Sequence, residues 1–207
     1  MLPLDVAMLS PWERVEDGRG LEAELARELV AGHVLFGKTV RAAARRWDRD
    51  DFLFVGEEIV AVVHLTWSRE TDPHWPSTVL YASLSDWIER GMFYEHLDLV
   101  DTESGTFMLA FDYPSGLESL AERLTSDPRR GWSVGSDALV KTEGATRLAI
   151  TWSEEEAAMV LRVQAIAEDV SFRDPATTLE SWYPDALRSA IVSLLALGAT
   201  RIRSRTE

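Results

Sequence analysis

Cysteine is absent from this chain of 207 residues. Disulfides, cysteine-ligated zinc, iron–sulfur clusters and thiol nucleophiles are therefore excluded, and a reducing cytoplasm is the expected setting. Histidine is scarce: His33, His64, His74 and His96 are scattered through the chain. No metal or other cofactor is expected from them. No window approaches the ~18 apolar residues of a spanning helix. The opening MLPLDVAMLSPWERVE has neither a basic leader nor a long apolar core, so no membrane segment or signal peptide is expected. Phosphate-loop patterns are missing too. Gly131–Gly135 fits neither GxxxxGK[ST] nor GxGxxG, and Ser115 lies outside any GxSxG elbow.

Positive charge is also in short supply. There are 35 acids against 21 bases, a formal charge of −14, and the only lysines are Lys38 and Lys141. Such a chain repels nucleic acid and anionic membranes at long range. Its expected partner is another protein, one of basic character. The basic cluster Arg41, Arg45, Arg46 and Arg49, beside Trp47, is offset by Asp48, Asp50 and Asp51, so ion pairing is expected there rather than nucleic-acid binding.

Apolar content is ample at 46%, with 8 Trp and 7 Phe, enough for a sizeable core. The chain centres on DFLFVGEEIVAVVHLTW, from Asp51 to Trp67. Phe52–Val55 and Ile59–Leu65 read as paired strands joined by a two-residue Gly56-Glu57 turn. The second is apolar on both faces, as an internal strand is. Helices are expected over Leu21–Ala31 capped by Gly32, over Lys38–Trp47 from the spacing of Val40, Ala43, Ala44 and Trp47, and over Ser83–Arg90 stopping at Gly91. The acidic LDLVDTESG at 97–105 is the expected boundary between two modules, 1–98 and 104–207.

In the second module, strands are expected over Thr106–Phe111, Ser136–Val140, Arg147–Trp152 and Met159–Ile166. A helix capped by Ser115 and Glu118 follows the first. A last helix over 184–197 has Pro184 near its first position and Gly198 past its end. The tail from Arg201 reads as a fraying charged end. The fold class expected is α+β, antiparallel sheets with helices packed against them.

Two sets of residues are candidates for function. Exposed acids on connections suit a basic partner: Asp72 in a loop broken by Pro73 and Pro76, and Glu154, Glu155 and Glu156 in a strand turn. Trp75 is the expected aromatic anchor, with packing into the core as its competing arrangement. The alternative is a small hydrolase or other enzyme built on His64, His74, Glu70 and nearby carboxylates. A third reading is a structural or assembly module with a tryptophan-rich contact face.

The runs HVLFG at 33–37, ARRWDRDDFLF at 44–54 and VAVVHLTW at 60–67, continued by Trp75, Pro76, Thr78 and Tyr81, resemble a group of small bacterial proteins with that pattern. The resemblance spans about residues 12–90. That group has no established activity and implies no catalytic residue. The acidic, cysteine-free α+β character resembles bacterial toxin-immunity proteins, which implies neutralisation of a basic toxin.

Overall fold

The computed structural model describes residues 6–100, 105–144, 146–166 and 179–205. Part of the acidic stretch read as a boundary, residues 101–104, lies outside them, as do residues 1–5 of the opening segment and 206–207 of the tail. The fold is α+β, with two antiparallel sheets of five and six strands. The chain divides into two compact units, built from Met8–Leu99 and from Val100–Glu207.

The first unit is a meander. Its strands are β1 (Trp12–Arg14), β2 (Arg41–Arg46), β3 (Asp51–Val55), β4 (Val60–His64) and β5 (Ser77–Tyr81), paired in sequence order. Helix α1 (Arg19–Glu28) packs Leu25 against Phe52, Phe54, Ala61 and Val63 on one face. The opposite face meets α2 (Leu84–Trp87), which runs through a π-helical turn (Ile88–Met92) into α3 (Phe93–Leu99). Trp87 stands edge-on to Trp12 there, with ring centroids 5.3 Å apart. Strand β4 is internal and buried from Val60 to Val63, as its two-sided apolar run requires.

Four local expectations change. The hairpin turn holds four residues, Gly56 to Ile59, because Val55 pairs with Val60 and the Gly56 N–H donates to the Ile59 carbonyl. Helix α1 ends at Glu28, with Leu29 already extended. Lys38–Trp47 is no helix: Arg41–Arg46 is strand β2, bulged at Ala43. The alanines serve as thin strand residues, since a Cβ on Gly18, at the mouth of α1, would lie 2.7 Å from that of Ala42. Gly91 does not stop its helix but sits inside the π-helical turn.

The second unit carries β6 (Thr106–Asp112), β7 (Ser133–Val134), β8 (Leu139–Glu143), β9 (Thr146–Ser153), β10 (Ala158–Ala165) and β11 (Thr200–Arg205), in the order β11-β6-β10-β9-β8-β7. Helices α4 (Gly116–Thr125) and α5 (Leu179–Ala196) accompany the sheet. Leu120, Leu124, Leu187 and Leu194 are buried, and Tyr183 of α5 meets Phe107 of β6 at 5.1 Å. Met108, Ala110 and Val160 form a small buried cluster on the other sheet face.

Pro184 lies inside α5 rather than at its first position. Ser115 makes no side-chain cap for α4. The tail is a strand, because Ile202 is fully buried and β11 pairs with β6. No helix among the described residues is long and apolar enough to cross a membrane.

Candidate functional site

Antiparallel pairing brings the β2–β3 turn and the long β4–β5 connection to the same end of the first sheet. Three tryptophans stand half-exposed on these segments: Trp47, Trp67 and Trp75, at 55%, 49% and 45%. A polar or ring contact pins the segment that carries each.

Trp47 donates its indole N–H to the Ser10 hydroxyl at 3.1 Å. Trp67 stands edge-on to Phe52, centroids 6.1 Å apart, and has a positive φ of 57°, uncommon for a bulky residue. Trp75 sits on a loop that buried His33 holds. The Leu35 N–H donates to His33 Nδ1 at 3.0 Å, so Nε2 carries the proton and donates to the Pro76 carbonyl at 3.0 Å. Pro73 meets the open α-carbon of Gly32, whose φ is +100°. The two linked segments also expose Val34 and Phe36.

An ion-pair network lies on the α3 face of this end. Glu95 of α3 accepts from the Trp12 indole and pairs with Arg46 at 3.2 Å and Arg49 at 3.5 Å. Arg46 also pairs with Asp48 at 2.7 Å, which holds the Asp48 carboxyl below its ordinary value. Arg49 reaches Asp51, and Asp51 accepts from His64 Nδ1 at 2.8 Å. The arginine cluster is thus paired with acids, as its interleaved sequence implies.

The residues of the enzyme alternative do not share one contact. His64 is held by Asp51, His74 Nδ1 bonds Asp72 at 2.7 Å, and Glu70 accepts from the Thr66 hydroxyl at 2.6 Å. Asp72 is exposed, its carboxyl lowered first by the His74 backbone N–H and then by the His74 ring. Glu154, Glu155 and Glu156 lie in the β9–β10 turn of the second unit, where Glu156 pairs with Arg203 at 3.2 Å. Among the described residues no three histidine or acidic side chains are grouped to hold a metal ion.

Sequence reading missed the open cleft of about 890 Å³ between Trp47 and Trp67, which also involves Glu13, Arg45, Asp48 and Asp50. It also missed buried Glu28. The cleft joins residues 13–17, 21, 45–50, 52 and 67, and no spacing in the sequence announces that meeting. No protein-family model, curated protein or solved structure matches the chain.

Proposed function

We propose that the protein is a non-enzymatic binding protein that holds a basic protein partner at the tryptophan-bearing end of its first unit, in the manner of a cytoplasmic immunity protein neutralising a toxin. One observation carries the reading: Trp75 is 45% exposed on a loop fixed by a buried histidine. A rigid, half-bare indole is the usual anchor of a protein interface, because little conformational freedom is lost when it is covered. Exposed Asp72 flanks it, and the formal charge of −14, to which Glu154, Glu155 and Glu156 contribute, attracts a basic partner at long range.

A pulldown from the source cell supplies the partner, and association is then timed at low and high salt. Raising ionic strength from 0.01 M to 0.15 M cuts the Debye length from ~30 Å to ~8 Å, so association slows. Trp75→Ala speeds dissociation, whereas changing Glu154, Glu155 and Glu156 together to Gln slows association. Indifference to both salt and the acidic changes refutes the electrostatic part. Full affinity in folded Trp75→Ala refutes the anchor.

The hydrolase reading keeps one supporting observation, the His64–Asp51 pair, since a carboxylate orienting an imidazole is what a general base uses. Hydrolysis of activated esters that disappears in His64→Ala would favour it over the binding reading.

A further inference from the structure

We propose that the cleft between Trp47 and Trp67 binds a neutral saccharide chain, a role independent of any protein partner held by the Trp75 loop. Its volume, about 890 Å³, lies in the ~300–1,000 Å³ range of small-ligand sites. Both indoles are about half bare yet held: Trp47 by its bond to Ser10, and Trp67 by Phe52 and by a backbone N–H bonded to the buried Glu28 carboxylate. Aromatic faces fixed before the ligand arrives suit the flat C–H face of a sugar ring.

Charge selects the ligand class. The arginines that line the cleft from the end of β2 and from the β2–β3 turn are already paired: Arg45 with Glu13 at 3.0 Å, Arg46 with Asp48 at 2.7 Å, and Arg49 with Asp51. A phosphate on the remaining N–H groups would face the paired carboxylates, and a lysine-rich segment on the remaining lone pairs would face the paired guanidinium groups. Sugar hydroxyls meet neither repulsion. Each hydroxyl donates to a carboxylate lone pair and accepts from a guanidinium N–H, so the pairs stay intact while their unused positions are filled. Asp50, exposed on the same turn, supplies one more acceptor. The positive φ of Trp67 fits this role, since strained backbone is retained where it places a working side chain.

The test is a tryptophan-fluorescence titration of the full chain. One arm uses free neutral oligosaccharides, namely α-glucan, β-glucan and chitin oligomers. A second uses neutral glycans released from glycoproteins, and a third uses heparin, oligothymidylate and oligolysine. Saturable binding of at least one neutral chain is expected, changing less than twofold between 50 and 500 mM salt, and the arm that responds tells free polysaccharide from protein-borne glycan.

Trp47→Ala and Trp67→Gly should each weaken binding at least tenfold. Glycine accepts the positive φ at position 67, so that variant keeps its backbone, and Asp50→Asn gives a milder loss without touching an indole. Trp75→Ala and Trp152→Ala should bind as the parent does. No saturable neutral ligand would overturn the proposal. Salt-sensitive binding confined to the charged probes, and lost in the cleft variants, would also overturn it, as would neutral-chain binding that survives both Trp47→Ala and Trp67→Gly.

Discussion

The carboxylate of Glu28, fully buried at the last position of α1, accepts the backbone N–H of Trp67 at 2.6 Å and that of Thr66 at 3.0 Å. The helix end and the β4–β5 connection are thereby fastened to each other, and Trp67 is held in its positive-φ conformation. In Glu28→Gln the single amide oxygen can serve only one of the two N–H groups, while the new NH₂ faces the other. The expected cost is about 1–3 kcal/mol, the penalty for leaving a buried donor unpaired. Urea unfolding measures the loss, and a shifted Trp67 emission in the folded variant reports the loosened connection.

Part of this architecture is legible in the chain and part is not, for physical reasons. The two-sided apolar run at β4 can be read because an internal strand imposes it on nearly every residue. Strand β2 cannot: Ala42, Ala43 and Ala44 favour helix on local propensity. Burial between β1 and β3, with Gly18 against Ala42, overrides that preference. The Trp75 loop is marked by its prolines, yet the histidine that holds it lies 43 residues earlier. Candidate residues of one type can be found by pattern, but contacts between distant segments cannot.

Gly91 tests the packing of the second helical layer. A Cβ there would stand 2.9 Å from both Trp87 Cδ1 and the Tyr81 hydroxyl oxygen. Trp87 is fully buried, and among the described residues its indole N–H has no partner. Half-buried Tyr81 can give way but the Trp87 ring has little room to retreat, so Gly91→Ala is expected to cost about 1–3 kcal/mol through overpacking. A lower denaturant midpoint with an unchanged slope would show this. A neutral result would mean that the π-helical turn relaxes around the added methyl.

Strand β11 makes the end of the second unit structural. Ile202 is fully buried, and Arg203 pairs with Asp112 and Glu156. Ile202→Ala removes a branched side chain from a filled site, with an expected loss of about 2–5 kcal/mol. Arg203→Ala, half-exposed with its ion pairs partly solvated, should cost under about 1 kcal/mol. Comparing the two by thermal unfolding separates burial from charge. Equal, small losses would mean that β11 frays as its charged sequence alone implies.

His96 gives the first unit an acid sensitivity that exposed histidines would not. It is almost completely buried on α3, and Nδ1 donates to the Ser10 carbonyl at 2.8 Å. Burial pushes its pKa below the ordinary 6.5, and the Ser10 bond only partly opposes that shift. The unfolded chain therefore takes up a proton at a higher pH than the folded one. Stability from this group is fully present above about pH 6.5 and falls as pH drops toward the depressed folded value, with a slope of at most about 1.4 kcal/mol per pH unit for one proton. Carboxylates that titrate lower add their own losses, so the decisive comparison is with His96→Gln. That variant should be less stable at pH 7.5 but should lose less on going from pH 7 to pH 5.5. Parallel stability curves for the two proteins across that interval would show that His96 does not set the acid limit.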